Sequence, residues 1–484
     1  MEKYQSASPS CSVISWKHKV LLSYGFVILV RLLVSLSPYS GHNTPPLYGD
    51  LEAQRHWMEI TVSLPPLDWY RQTSDNDLQY WGIDYPPLSA YYSWICGKII
   101  QLVDEDVIKL HVSRGIETES SKCLLRLSVV LSDAIFLLPA CLQLCLRISK
   151  KKDDDSIWLF VTTALEPCLL LIDHGHFQYN GVSIALVLWS IIALLEDDLV
   201  RACIFYTCSI HFKQTSLYYS ICFASYFFSK LKTQQKWKRK LFQCVMVTLF
   251  VFLIIWWPWL KDWKSFSQVL SRIFPVSRGL YEDKVANFWC TLSPFLKVHR
   301  LVGPGSLLLL CSVLTAVSCM PFVVMNWKKP TMTNLLISFT ATPLCFYLFS
   351  YQVHEKQIIL SVFIAQFLSF DFFWLSFYFS LVGLASMFPL FMRENLHPAY
   401  IGCCFLQVWL RTIKPRRANL RFKVPFFAIF FVLHILLLFA NSPKRYPHMF
   451  ILLCTSVCCV YFVSLLAFLI WISIAKGTSH DKSG

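Results

Sequence analysis

The chain has 484 residues, 55% of them hydrophobic and 15% charged, and a mean hydropathy of +0.50. That apolar excess excludes a soluble domain of this length and indicates a polytopic membrane protein. The net charge of +15 does not point to nucleic acid, because the Lys and Arg fall in short blocks between apolar runs, an orientation signature of membrane proteins.

Residues 1–19 read as a polar tail. The first apolar run follows Lys17 and Lys19 and lacks a small-residue cleavage site, so it reads as an anchor, not a cleaved signal peptide. Next comes the longest polar interval, Tyr48 to Pro87, YGDLEAQRHWMEITVSLPPLDWYRQTSDNDLQYWGIDYPP. Asp50 opens it. Glu52, Arg55, His56 and Glu59 then recur at helical spacing on one face, and Trp57, Ile60, Thr61 and Leu64 on another. The pattern predicts a helix over 51–63 lying flat on the bilayer, charged side towards water. Asp84 closes the interval in extended backbone ahead of two prolines. Residues 86–103, short and rich in Tyr and Trp, read as a second membrane-parallel helix.

Candidate spans follow at 20–38, 123–147, 156–172, 178–195, 199–213, 214–230, 240–259, 303–326, 332–351, 357–371, 373–392, 397–411, 421–441 and 449–475, roughly fourteen in all. With 86–103 kept out of the membrane, the richest basic blocks (Arg147 to Lys152, Lys230 to Lys240, Lys328-Lys329, Arg411 to Lys423) share the cytosolic side with both chain ends. The expected organisation is a tail (1–19), a catalytic transmembrane module (20–356, with lumenal loops 39–122 and 260–302) and C-terminal transmembrane helices (357–484).

That topology gathers the unusual polar motifs on the lumenal side. Asp50 serves equally well as a helix cap or as a rigidly held catalytic carboxylate, and Asp84 as a turn former or a second site carboxylate. DHGHFQYN, Asp173 to Asn180, is too polar for a mere connector, and His176 and Gln178 suit hydrogen bonding to a ligand better than metal ligation. Lys213 is either a snorkelling lysine or a site cation. In 260–302, Arg272, Arg278 and Lys284 are interleaved with aromatics that suggest packing on the membrane. His354-Glu355-Lys356, between two spans, marks a ligand pathway. The 19 Cys form no CxxC pair, and no Gly-rich phosphate loop, HExxH or nucleophile elbow is present. Carboxylates and cations at one membrane edge suit sugar transfer from a polyprenyl-phosphate donor. The leaving phosphate needs positive charge, and the acceptor hydroxyl needs a base.

YGDLEAQRHWMEIT, DLQYWGIDYPPL, DHGHFQYNGVS, FKQTSLYY, RIFPVSRGLYEDKVANFWC and FSYQVHEK, in order from Tyr48 to Lys356, resemble the endoplasmic-reticulum glucosyltransferases that extend the lipid-linked oligosaccharide for asparagine-linked glycosylation. Past Lys356 only hydropathy agrees. The resemblance implies an all-α GT-C fold with two membrane-parallel helices in the first lumenal loop, an endoplasmic-reticulum membrane location and a lumenal site. It also implies dolichyl-phosphate-glucose as donor, dolichyl-diphosphate-linked Man(9)GlcNAc(2) as acceptor, an α-1,3 linkage formed with inversion, and neither metal nor cofactor. Members that add the second glucose read TDFEVHRNW where this chain has YGDLEAQRHW and lack EDKVANFWC, so first-glucose transfer is expected and second-glucose transfer is the alternative. Gly181 and Thr215 depart from the family pattern. The resemblance places the catalytic base on Asp50. Asp84, Glu52 and His56 are expected to orient the sugars, and His354, Lys356, Arg278 and Lys213 to hold the donor phosphate. A transporter or flippase is the alternative of another class, but the ionisable motifs collect at one face without internal repeats.

Overall fold

Apolar segments in a bilayer must satisfy their backbone groups internally, and the helix does so locally. A computed structural model of the chain describes residues 15–274, 284–413, 420–440 and 442–478, and all regular structure among them is helical. Six described helices are long and apolar enough to cross a membrane: Trp16–Ser35 (α1), Glu119–Ser149, Trp237–Lys261, Pro304–Lys328, Met332–Phe349 and Met449–Ala475. The protein is a polytopic, all-α membrane protein. The helices differ in place. Within the apolar window, α1 and Trp237–Lys261 are each 17% buried and so face lipid, whereas Met332–Phe349 is 78% buried and forms the centre.

Several expected spans are broken or short. The run predicted at 156–172 is part of a pair, Asp154–Ala164 and Pro167–Phe177, bent by 44° and counting together as a seventh span. The break has a local cause: Pro167 cannot donate, and the Glu166 carboxylate accepts from the Leu169 N–H at 3.0 Å. Asn180–Leu195, Leu199–Phe212, Phe373–Ser386 and Ile429–Phe439 are apolar but shorter. The run at 357–371 is a 3-10 turn, the seven-residue helix Ile359–Ala365 and another 3-10 turn.

The polar interval after α1 contains the two expected helices, Asp50–Ser63 (α2) and Pro87–Val103 (α3), and neither is among the apolar helices above. The surroundings of α2 differ from the expectation. Its charged face does not turn to water: Glu52, Arg55, His56 and Glu59 are all buried. The Arg55 guanidinium grips Glu52 through two bonds of 2.7 Å, donates to Glu59 at 2.7 Å, and reaches Ser113 Oγ at 2.5 Å and the Val107 carbonyl at 3.2 Å. Glu59 also accepts from the His111 N–H at 2.8 Å, and Tyr80 donates to Glu52 at 2.8 Å. Burial pushes the Glu59 carboxyl up, but His56 and Arg55 prevail and hold it down at about 2. Spacing identified the face, and residues 105–113 cover it. The apolar face does not lie on lipid either. Trp57 and Ile60 pack with Trp69, Tyr70, Ile83, Trp256, Trp259, Val269 and Ile273.

The described part of 260–302 packs in part on protein, while Trp263, Phe274, Phe288 and Phe295 remain exposed. Helix Trp263–Ile273 buries Val269 and Ile273, and Arg272 donates to the carbonyls of Gly82 (2.7 Å) and Ile83 (3.2 Å). Residues 275–283, including the expected phosphate ligand Arg278, lie outside the described residues.

Three ionisable side chains meet inside the bundle. Arg31 Nε donates to Asp133 Oδ2 at 2.8 Å, Arg31 also donates to the Ala164 carbonyl at 2.9 Å, and His174 Nε2 lies 2.9 Å from Asp133 Oδ2. Both members of the Arg31–Asp133 pair are about 1% exposed. A buried charge is tolerated only with its partner, so Arg31→Met, which strands Asp133, is expected to destabilise the protein by about 3–5 kcal/mol. Thermal unfolding in detergent reads this, and Arg31→Met with Asp133→Leu is expected to recover part of the loss. An additive loss in the double variant would show that the two charges do not act as a pair.

Candidate active site

Asp50 is placed by backbone before it is placed by side chains. Gly49 precedes α2 at φ 154°, and a Cβ there would sit 2.6 Å from the Ser40 carbonyl. Gly41 (φ 78°) is equally constrained, since its Cβ would overlap the Tyr48 carbonyl oxygen at 1.2 Å. The two glycines let residues 40–41 and 48–49 interlock. Ser40 then binds both ways: its hydroxyl accepts from the Asp50 N–H at 3.3 Å, and its N–H donates to the His176 carbonyl at 3.2 Å. Asp50 lies in the first turn of α2, where the helix dipole favours a carboxylate.

The DHGHFQYN motif arrives from the other side. Pro167–Phe177 ends in a wide π turn over Leu171–Phe177, and Phe177 takes a left-handed φ of 92° before Gln178 runs extended. That unwinding brings His176 and Gln178 onto Asp50. Asp50 Oδ2 lies 2.8 Å from His176 Nε2 and accepts from Gln178 Nε2 at 2.6 Å and from Lys356 Nζ at 2.8 Å. Lys356 sits on the 3-10 turn Glu355–Ile358, capped by His354, and its ammonium also lies 3.0 Å from His176 Nε2. Burial pushes the Asp50 carboxyl up, but the positive charges of Lys356 and His176 outweigh it and hold the group well below the usual carboxylate range.

Asp50, Gln178 and Lys356 form one wall of a cavity of about 270 Å³, with His176 behind Asp50 and Lys356, and Trp57, Trp81, Asp84, Tyr85, Lys213 and His354 also line it. Lys213 Nζ donates to Gln178 Oε1 (3.1 Å) and Asn180 Oδ1 (2.5 Å) and lies 4.8 Å over the Tyr85 ring. Asp173 in turn accepts from Asn180 Nδ2 and the Gly181 N–H, both at 2.7 Å. Opposite, Trp57 Nε1 donates to the Trp81 carbonyl at 2.8 Å, Tyr70 to the Tyr85 carbonyl at 2.7 Å, and Gln214 to the Asp84 carbonyl at 3.2 Å, which fixes the aromatic rim.

Of the residues singled out from sequence, Asp50, Asp84, His176, Gln178, Lys213, His354 and Lys356 come together here. Glu52 and His56 do not line the cavity, because the helical turn that points Asp50 inward sends them into the Arg55 network. Sequence reasoning missed Gln54, Trp81, Asn180 and Gln214 on the wall, and Glu394, whose oxygens lie 2.6 and 2.8 Å from His176 Nδ1. Glu394 carried a readable signal, a carboxylate between two predicted spans, but it lies in the part of the chain where only hydropathy matched. The departure at Gly181 has a steric reason, since a Cβ there would come within 2.0 Å of Asp133 Oδ1. Among the described residues no three His, Cys, Asp or Glu side chains converge as metal ligands. The cavity offers a fixed carboxylate beside two ammonium groups, which suits deprotonation of a hydroxyl next to a departing anion.

Residues 27–470 match the ALG6, ALG8 glycosyltransferase family. The chain is 37% identical to a "Probable dolichyl pyrophosphate Man9GlcNAc2 alpha-1,3-glucosyltransferase" of Dictyostelium discoideum, covering 92% of this chain and 93% of that protein. It is 35% identical to the "Dolichyl pyrophosphate Man9GlcNAc2 alpha-1,3-glucosyltransferase" of Gallus gallus over 91% of this chain and 94% of the relative. It is also 35% identical to a protein of Drosophila melanogaster named as the probable form of the same enzyme, over 96% and 99%. With a match over nearly the whole chain and a carboxylate–ammonium cavity suited to group transfer, this membrane protein belongs to the ALG6, ALG8 glycosyltransferase family.

Proposed function

We propose that the chain transfers glucose from dolichyl-phosphate-glucose to dolichyl-diphosphate-linked Man(9)GlcNAc(2), forming an α-1,3 linkage with inversion, at the lumenal face of the endoplasmic reticulum membrane. The acceptor and linkage are those in the relatives' names, and the motifs at Tyr48 and Glu282 favour the first glucose over the second. The donor follows from the chemistry of the wall, where a lipid-phosphate leaving group needs stabilising charge more than a general acid. The carrying observation is Asp50 Oδ2, turned into the cavity and fixed by His176, Gln178 and Lys356.

In this reading Asp50 takes the proton from the acceptor hydroxyl as the oxygen attacks the anomeric carbon, and the glucosyl–phosphate bond breaks with its electron pair leaving on the phosphate. Single displacement with inversion needs one base and no protein nucleophile, which suits a lone carboxylate among cations. Lys356 has three N–H donors. One is directed at Asp50, which leaves donors for the phosphate. As the phosphate draws the ammonium, Asp50 loses its counter-charge and gains basicity when the donor is in place. Asp84, Trp81 and Tyr85 line the space for the sugars, Lys213 adds to the positive side, and His354 lines the same wall.

Asp50→Asn is expected to lower the transfer rate by about 10²–10⁴-fold with the elution profile and unfolding temperature unchanged. Purified protein with synthetic donor and acceptor tests this, and a retained rate removes Asp50 as the base. Lys356→Met is expected to lower kcat/KM for the donor by about 10²–10³-fold, with less effect on acceptor KM; an unchanged response to donor concentration would contradict the phosphate role. Acceptors carrying no glucose or one glucose separate the two members of the family: product from the glucose-free acceptor alone is expected, and product from the monoglucosylated one alone would assign the second step.

A further inference from the structure

Residues 81–85 form a strap that belongs to no helix, yet each of its consecutive carbonyls accepts from a side chain of another segment. The Trp81 carbonyl accepts from Trp57 Nε1 of α2 at 2.8 Å. Those of Gly82 and Ile83 accept from the Arg272 guanidinium at 2.7 and 3.2 Å. The Asp84 carbonyl accepts from Gln214 at 3.2 Å, and that of Tyr85 from the Tyr70 hydroxyl at 2.7 Å. Among the described contacts, none of these donors is a partner of Asp50, so the strap is braced independently of the base.

Satisfying a buried loop accounts for the carbonyls. It does not account for Trp81, a bulky residue at a left-handed φ of 52°. Such a conformation persists where the surroundings over-determine it. Trp81 is held at its ring as well as its carbonyl, because Nε1 donates to the Leu47 carbonyl at 2.5 Å. The side chain therefore lines the cavity with its one donor already spent, and offers a flat apolar ring. The other end of the strap meets the cations. The Lys213 ammonium lies 4.8 Å over the Tyr85 ring, and Lys213 and Lys356 line the same cavity. A lipid phosphate held between these two lysines leaves the sugar it carries lying over the strap.

We propose that Trp81 is a specificity-determining residue: its indole stacks on the β face of the donor glucose and reads the configuration at C2. The assignment deepens the glucosyl-transfer reading above and rests on it. Inversion from a β-linked donor brings the acceptor oxygen, and Asp50 with it, to the α face of the anomeric carbon. The β face is left for another wall. In β-linked glucose every ring substituent is equatorial, so that face presents only the axial hydrogens of C2 and C4. An indole takes such a face out of water and attracts its C–H groups to the negative face of the ring. Mannose differs by an axial O2 that projects from this same face. Pressed on the indole, that hydroxyl loses its water and finds no partner, since the ring N–H is bound to Leu47. Trp81 thus selects the donor, and Asp50 carries the transfer.

The test compares Trp81→Leu and Trp81→Phe with the parent full chain, using dolichyl-phosphate-glucose, the glucose-free acceptor and dolichyl-phosphate-mannose as a competing donor. The Ki of the competitor is readable whether or not its mannose is transferred. Trp81→Leu is expected to raise the KM for dolichyl-phosphate-glucose roughly tenfold, with the mannose-donor Ki and the acceptor KM little changed. Trp81→Phe keeps a flat ring and is expected to retain most of the preference for glucose, although it loses the bond to Leu47. An equal weakening of both donors, a rise confined to the acceptor KM, or an unchanged donor KM each overturns the proposal. Should Trp81→Leu not fold, Trp81→Met takes its place with the same expectations. The parent alone supplies a further check through dolichyl-phosphate-galactose, whose axial O4 projects from the same face. It is expected to compete as poorly as the mannose donor, and competition matching that of the glucose donor overturns the proposal without any variant. A parent that transfers no glucose counts against glucosyl transfer itself, whereas an active parent whose variants keep the donor preference counts only against the stacking role.

Discussion

The contact between Asp50 and Lys356 joins residues 306 positions apart at 2.8 Å, and the remainder of the site is arranged around it. A carboxylate half out of water and an ammonium beside it stabilise each other only if neither can drift, and each is held by its own element. Asp50 is locked by interlocked backbone at Gly41 and Gly49, Lys356 by a capped 3-10 turn, and His176 and Gln178 by a helix end that unwinds. Three irregular pieces of backbone meet where the helices stop. Such backbone is tolerated in a membrane protein where it lines a cavity, and here it does.

Much of this was readable from residue order. Apolar run lengths gave the class, and polar motifs stranded between them gave seven of the side chains that come together. They stood out because an ionisable residue at membrane depth needs a reason. The misreadings share one cause. Helical spacing put Glu52, Arg55, His56 and Glu59 on one face, but spacing cannot tell whether that face meets water or another segment. The covering residues, Val107 to Ser113, are unremarkable in sequence and matter only through a carbonyl, a hydroxyl and an N–H. The same limit hid Gln54 and Gln214, whose roles depend on where the turn points them. The count of continuous spans was hard to read because Pro167 and the residues at 355–358 break runs that hydropathy alone joins.

Charge is sorted by depth and purpose. The Arg55 guanidinium is paired with Glu52 and Glu59 within α2, which makes α2 a rigid support without giving it chemistry. The Asp50 cluster, a turn away, is paired through groups that also face open space. Two carboxylates two residues apart, Asp50 and Glu52, thus have different work, set by which side of the helix each leaves from. The part of the chain after Lys356 is also more than packing, because Glu394 reaches His176 from there.

The close approach of Gly181 to Asp133 links the bundle interior to the cavity floor, since the Gly181 N–H binds Asp173 while any Cβ would strike Asp133 Oδ1 at 2.0 Å. A side chain at 181 therefore requires the Asp133 carboxyl to turn aside or its helix to shift, which would disturb the buried contacts that Asp133 makes with Arg31 and His174.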